Sequence, residues 1–210
     1  MFRIMWLAMI ALSAAVGFAH AEADGITALL ARLARAPGVS AKFREEKRIP
    51  LLSEPLLSTG SVYFTTPAVL LRRVVTPEAS SLLLANGRLE FRDASGQRSF
   101  DLSSVPAVRS LAESFLYVLS GDRKALDSLY TMRFEGSAQA AWKLQLTPKS
   151  KELARLIREI KLDGDDIRVR SMQLTEASGD VSITTFTEVQ ADRHFSPDEK
   201  RTLFQVPPKP

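Results

Sequence analysis

The sequence predicts an α+β domain built on one large, curved antiparallel sheet. Three observations carry this reading. Period-two apolar runs fill two long stretches, a helix-period segment lies between them, and turn signals separate the runs at short intervals. With 210 residues, 45% hydrophobic and 25% charged, the chain suits one globular domain, and no repeat, linker or low-complexity tract divides it.

The first element is an export signal. Met1-Phe2-Arg3 is a short positive start, Ile4 to Phe18 is uncharged and nearly all apolar, and Ala19-His20-Ala21 is a small-x-small cleavage site. Residues 1–21 therefore read as a signal peptide cleaved after Ala21, and 22–210 as the domain. An uncleaved anchor is the competing reading, for which about 15 apolar residues fall short of the roughly 20 that span a bilayer. No later segment approaches the ~18 apolar residues of a membrane helix, so the mature chain is expected to be soluble and outside the cytoplasm.

Ile26, Leu29, Leu30 and Leu33 then fall on one helical face, with Asp24 as cap and Pro37-Gly38 as stop. Val39, Ala41 and Phe43 alternate with Ser40, Lys42 and Arg44, the pattern of a strand with one wet face. Glu46 to Ser58, with Pro50 and Pro55, reads as a hairpin connection or irregular edge. Strand-like runs follow at Thr59–Thr65, Val69–Val75, Ser80–Leu84 and Arg88–Arg92, and Asn86-Gly87 between the last two suits the positive φ of a two-residue turn. Val108, Leu111, Phe115, Val118 and Leu119 fall at helical spacing, and Ser120-Gly121-Asp122 ends that helix and opens another near Lys124–Leu129. Strands return at Thr131–Gly136, Ala141–Thr147, Leu156–Leu162, Ile167–Thr175 and Val181–Gln190, joined by turns such as Gly164-Asp165 and Ser178-Gly179-Asp180.

Composition excludes several classes of function. Without cysteine there is no disulfide, thiolate metal site, cysteine nucleophile or lipidated N-terminal cysteine. The histidines are His20 and His194, and cleavage leaves one imidazole, so a histidine-rich metal site is not expected. The mature formal charge is +3, with Lys and Arg dispersed among Asp and Glu, which is no nucleic-acid footprint. Asp163, Asp165 and Asp166 around Gly164 lack the spacing of a calcium loop and suit a hairpin turn. Glu45-Glu46 and Asp198-Glu199 are neighbours in sequence, so on a strand their carboxylates point to opposite faces. His194 lies in a polar stretch before Ser196-Pro197, with no nucleophile elbow, Walker loop or dinucleotide fingerprint elsewhere. An enzyme is not expected.

The order of elements, with several local strings, resembles the LolA family of periplasmic lipoprotein carriers. These strings are Gly60-Ser61-Val62-Tyr63-Phe64-Thr65-Thr66-Pro67, Leu82-Leu83-Leu84-Ala85-Asn86-Gly87-Arg88-Leu89-Glu90-Phe91, Trp142-Lys143-Leu144-Gln145-Leu146-Thr147-Pro148-Lys149 and Phe204-Gln205-Val206-Pro207-Pro208, the last read as a final strand. Pro67 and Pro77 keep the family's ten-residue spacing. The resemblance covers nearly the whole mature chain and implies a divergent member with a half-open antiparallel β-barrel and a helical lid. It implies no cofactor and no catalytic residue.

Carried over by position, Phe43, Val62, Phe64, Leu70 and Val74 would line a hydrophobic cavity, continued by Leu82, Leu84, Leu89 and Phe91 and, on later strands, by Trp142, Leu144 and Leu146. Leu111, Phe115, Leu116 and Leu119 would form the lid's inner face. Two positions depart from the family's pattern. Thr66 stands where the best-studied carriers have an arginine that closes the empty cavity, so the closing device is absent or rebuilt. Arg72 stands where they have a tryptophan, and a guanidinium beside an apolar cavity must be paired or reach water. It either meets an anionic or polar ligand head at the rim or simply reaches solvent.

The function so implied is a monomeric periplasmic carrier. It would shield acyl chains of a lipoprotein or another lipid between an inner-membrane donor transporter and an outer-membrane acceptor. The basic residues Arg44, Lys47, Arg48, Arg72 and Arg73 are candidates for orienting those encounters. The alternative is a periplasmic lipid- or lipoprotein-sensing regulator on the same half-barrel; such regulators usually add a C-terminal domain, whereas this sequence ends at Pro210.

Overall fold

A computed structural model describes residues 25–205. The expected signal peptide, the cleavage site after Ala21, the Asp24 cap and Val206-Pro207-Pro208 lie outside the described residues.

Helix α1 covers residues 25–33 of the described chain, and its predicted stripe of Ile26, Leu29, Leu30 and Leu33 is buried. Strands β1 (Gly38–Arg48), β2 (Leu56–Thr65), β3 (Val69–Thr76), β4 (Ser80–Ala85), β5 (Arg88–Asp93) and β6 (Gly96–Asp101) form one antiparallel meander. A 3₁₀ turn (Leu102–Ser104), helix α2 (Pro106–Leu119) and helix α3 (Arg123–Leu129) follow. A second meander, β7 (Tyr130–Gly136), β8 (Ala141–Pro148), β9 (Ile157–Asp165), β10 (Arg168–Glu176) and β11 (Val181–Gln190), carries the short helix α4 (Lys151–Ala154) between β8 and β9. Helix α5 (Pro197–Leu203) ends the described chain.

β11 pairs with β1, so the meanders fuse at their middle into one 11-stranded sheet whose free edges are β6 and β7. The sheet is open. This topology explains the lid: the chain leaves one edge at β6 and re-enters at the other in β7, so the intervening helices must cross from rim to rim.

Two clusters fill the ends of the concave face. Under α1 and α3, the larger packs Leu126, Tyr130, Phe134, Trp142, Leu144, Ile157 and Ile160 against the α1 stripe. The smaller joins Phe64, Leu84, Leu102 and Leu116. α2 bridges them, giving Val118 to the first and Leu116 to the second. Ser114, fully buried on the same helix, shares a 2.7 Å hydrogen bond with the Tyr130 hydroxyl.

Local chemistry sets the turns. Asn86 and Gly87 take φ of 52° and 70°, the positive values that the hairpin signal required. Gly121 (φ 66°) turns α2 into α3 against α1, where a Cβ would lie 2.0 Å from the Leu30 carbonyl.

Several elements differ from the sequence reading. The β1–β2 connection is 49–55, shorter than expected, because the Lys47 ammonium is held by Glu176 (2.7 Å) and Asp180 (3.3 Å) of the adjacent β10–β11 turn. β6 is an edge strand with a polar sequence, and α4 was not foreseen. The turn expected at Gly164-Asp165 falls two residues later, at Asp166-Ile167. Gly164 stays inside β9, where a Cβ would strike the Trp142 ring at 2.2 Å. Phe204-Gln205 is not a strand. Ser196 and Glu199 form a capping box, Pro197 occupies the first turn, and the helix α5 they open ends with Phe204 edge-on to Phe195 at 5.2 Å.

Along α2, Tyr117 donates to Glu113 (2.7 Å), which also accepts from Arg109 (2.8 Å). Burial, reinforced by the Glu113 bond, pushes the Tyr117 phenol up to about 12, and burial also raises that of Tyr130. The folded chain therefore keeps protons that the unfolded chain releases near pH 10. The stabilisation these phenols give is complete below about pH 10 and is lost as pH rises toward 12. Urea denaturation at pH 9 and pH 11 should show a smaller alkaline loss for Tyr117→Phe than for the natural protein.

Candidate functional site

Between the two clusters, the middle of the sheet is left uncovered by α1 and α3. A cavity of about 290 Å³ lies there, walled by β1–β4 and β8–β11 and roofed by α2. Its walls are almost wholly apolar. Val39, Ala41 and Phe43 come from β1, Val62 and Phe64 from β2, Leu70 from β3 and Leu82 from β4. Phe186 and Val189 of β11 and Val169, Met172 and Leu174 of β10 continue the wall beyond β1, and Ile160 and Leu162 of β9 and Leu146 of β8 end it. Phe115, Val118 and Leu119 hang from the roof beside Ser114. A concave apolar face beneath a helix that meets the sheet through side chains can exclude water from a hydrocarbon ligand.

The residues expected from sequence thus divide. Phe43, Val62, Phe64, Leu70, Leu82, Leu146, Phe115 and Leu119 are brought together on the cavity wall, with Arg72. Trp142 and Leu144 lie in the larger cluster instead, where α1 covers their face, and the Trp142 indole donates to the Asp166 carbonyl at 2.7 Å. Leu111 packs on that same cluster. Leu84 and Leu116 are core of the smaller cluster, with Leu89 against it, because Leu102 plugs that end. Val74 is half-buried beyond Arg72, opposite Gly60. Phe91 sits one strand further out on β5, 5.9 Å from the Arg98 guanidinium.

Sequence reasoning missed every wall residue of β9, β10 and β11, the residues Ala41 and Val39 as wall positions, and one charged partner. Glu45 points into the cavity. Its carboxylate accepts from the Arg72 guanidinium at 3.0 Å and from the Thr184 hydroxyl at 3.0 Å, and the guanidinium lies over the Phe43 ring at 4.3 Å. Arg72 is therefore paired inside the protein as well as partly open to solvent, its side chain 31% exposed and that of Glu45 23%. The adjacency of Glu45 and Glu46, which places them on opposite faces, was the available signal.

Thr66 does not reach the lid. Its hydroxyl and its N–H both donate to the Pro37 carbonyl at 3.3 Å, tying the end of β2 to the loop before β1. The lid is held by Leu116, Val118 and the Ser114–Tyr130 bond. Of the other basic residues, Arg44 is exposed, Arg48 pairs with Glu46, and Arg73 donates to the Leu203 carbonyl on the convex side at 2.9 Å.

At one end of the sheet the β1–β2 connection exposes Leu51 and Leu52 and the start of β2 exposes Leu56 and Leu57, with Leu51 94% exposed, and Val75 is exposed at the neighbouring end of β3. Leu56 shares the strand face of Val62 and Phe64, with Ser58 and Gly60 between them. A broader hollow of about 520 Å³ near His194 is lined by Asp166, Arg168, Asp192 and Arg193 and meets the cavity at Ile167 and Val189. Its charged walls do not suit hydrocarbon. Asp163 accepts from Ser171, Asp165 from Arg168 and Arg170, and Asp166 from Arg32, so these carboxylates are spent in hydrogen bonds and ion pairs. Among the described residues no group of three or more acidic or histidine side chains could hold a metal, and no helix is long and apolar enough to cross a membrane.

Among curated proteins none matches the chain. A LolA superfamily protein from Nitrosomonas europaea is 14% identical over 83% of this chain and 96% of its own, with a TM-score of 0.46. MucB in the MucA/MucB complex of Pseudomonas aeruginosa is 16% identical over 83% of this chain and 59% of its own, with a TM-score of 0.50. The lipoprotein LppX of Mycobacterium tuberculosis is 12% identical over 80% and 97%, with a TM-score of 0.43. The family model described as outer membrane lipoprotein carrier protein LolA-like matches residues 18–198. With that match spanning most of its length, and with an open 11-stranded sheet roofed by a helix, the chain belongs to the LolA-like family of outer membrane lipoprotein carrier proteins.

Proposed function

We propose that the protein is an exported, monomeric carrier that shelters acyl chains of lipoproteins or another lipid and passes them from an inner-membrane donor toward the outer membrane. The apolar cavity of about 290 Å³ beneath α2 is the observation that carries this reading. Family membership and the signal-like start at residues 1–21 support it. No bond is made or broken, so the protein acts as a carrier and not as an enzyme.

Energetics constrain how such a carrier works. Burying hydrocarbon is worth roughly 0.8 kcal/mol per methylene, on the order of 12 kcal/mol for one 16-carbon chain. Release into water is then very slow, and transfer requires contact with an acceptor that takes the chain directly. The exposed leucines of residues 51–57 offer an apolar patch at the rim, where such contact would occur. The cavity sits at the small end of ligand sites, which run from about 300 Å³ upward, so more than one chain would require α2 to lift from the open sheet.

The second reading is a lipid-responsive regulator on the same fold, the architecture also seen in MucB in its complex with MucA. Native mass spectrometry with lipid extraction, on protein purified from the periplasm of its own host, separates the two. Co-purified acylated protein or lipid that moves to acceptor vesicles is the expected result. A stoichiometric protein partner without transfer favours the regulator, and ligand-free protein under lipid-preserving conditions contradicts both.

A further inference from the structure

We propose that the cavity accepts acyl chains joined through an uncharged ester or amide carbonyl and discriminates against chains ending in a free carboxylate, with the Arg72–Glu45 pair as the selecting element. This rests on the reading of the cavity as an acyl-chain site and deepens it.

Among the described residues that line the cavity, Glu45 and Arg72 are the only charged ones, and the other polar ones are Ser114, Ser182 and Thr184. Both oxygens of Glu45 are engaged, one by Arg72 and the other by the buried hydroxyl of Thr184. Arg72 is less fully used. A guanidinium has five N–H donors; one nitrogen of Arg72 donates to Glu45, and one flat face is covered by Phe43. The site therefore offers spare hydrogen-bond donors and no net charge. A carbonyl oxygen suits such a site, because it accepts one or two of those N–H groups and brings no charge.

A free carboxylate does not suit it. Placed on Arg72 it would sit beside the Glu45 carboxylate at a site only partly open to solvent, where the like charges repel and displacement of Glu45 would leave a charge unpaired. An unpaired Arg72 would do the opposite and favour an anionic head. Glu45 thus inverts the preference that Arg72 alone would set. An acyl ester of a glycerolipid and an acylated amine of a lipoprotein share the carbonyl chemistry, and the test separates them.

The mature chain would be titrated at about pH 8, where free fatty acids are ionised, with palmitate, monopalmitoylglycerol and an N-palmitoyl peptide amide. Displacement of a fluorescent acyl probe would be read in each case. The natural protein should bind at least one uncharged ligand about tenfold or more tighter than palmitate, and Glu45→Gln should tighten palmitate by about tenfold while leaving the uncharged ligands nearly unchanged. Tighter binding of the glyceride or of the peptide identifies the source of the carbonyl. Palmitate binding as tightly as both uncharged ligands overturns the proposal, as does a Glu45→Gln protein with the original preference. Should Glu45→Gln fail to fold, the preference of the natural protein decides alone. If none of the three ligands binds, the acyl-site reading itself fails, and this proposal with it.

Discussion

Ala41→Phe is expected to weaken acyl-chain binding more than a hundredfold while leaving a folded protein. Ala41 is only 6% exposed, yet its methyl faces the cavity from β1, between Val39 and Phe43 and opposite Val62. A phenyl ring added there enters void, so the usual overpacking penalty of about 1–3 kcal/mol is largely avoided, and an aromatic residue is well suited to a strand. The ligand loses what the ring gains. Displacing about four methylenes at roughly 0.8 kcal/mol each removes about 3 kcal/mol, more than a hundredfold in affinity. Titration with a fluorescent fatty-chain probe, paired with urea denaturation, reads both halves. A stable variant with unchanged affinity would place the chain elsewhere on the molecule.

Gly60→Ala should cost the fold about 3 kcal/mol or more and lower the melting temperature by about 10 °C. Gly60 lies on β2 between Phe43 of β1 and Val74 of β3, where a register shift separates Thr59 from Gly60. A Cβ would lie 1.9 Å from the Arg73 carbonyl oxygen and 2.9 Å from the Phe43 ring. The first of these is backbone, so β2 and β3 would have to part, and the wall carrying Val62, Leu70 and Arg72 would move with them. Gly87→Ala is the matched comparison. Gly87 has φ 70° but nothing within 4 Å of a Cβ, so only the backbone strain of roughly 1–2 kcal/mol is expected. Thermal melts of the two variants should differ about twofold in their shifts.

Most of the fold was legible because its signals are local. The α1 stripe, the Asn86-Gly87 turn and the alternation along β1 to β5 each depend on a few adjacent residues. β6 was hidden because an edge strand such as Gln97-Arg98-Ser99 has one neighbour and little to bury, so its sequence need not alternate. α5 was hidden behind the reading of its tail as a strand, although Ser196-Pro197-Asp198-Glu199 carries its cap.

The site was half legible, and the missing half has a definite cause. On β10 the inward residues shift from Val169 to Met172 across a bulge, and on β11 from Phe186 to Val189 next to Glu188 at φ 52°. Each irregularity breaks the period of two, so alternation read from either end assigns the wrong face beyond it. Ser182 and Thr184 also face inward, which masks β11 as a wall strand. Trp142 and Leu144 were placed on the cavity for the opposite reason. Their alternation is regular, but it cannot tell which helix covers that face. Only the packing of α1 distinguishes filled core from open wall.

The most direct test is photo-cross-linking with an acyl chain that carries a diazirine near its middle, followed by peptide mapping of the labelled protein. Labels are expected on wall residues of the central strands and the roof, such as Val62, Met172, Leu174 and Phe115, and should disappear in Ala41→Phe. Labelling confined to the exposed leucines of residues 51–57, or equal in Ala41→Phe, would contradict the idea that hydrocarbon lodges beneath α2.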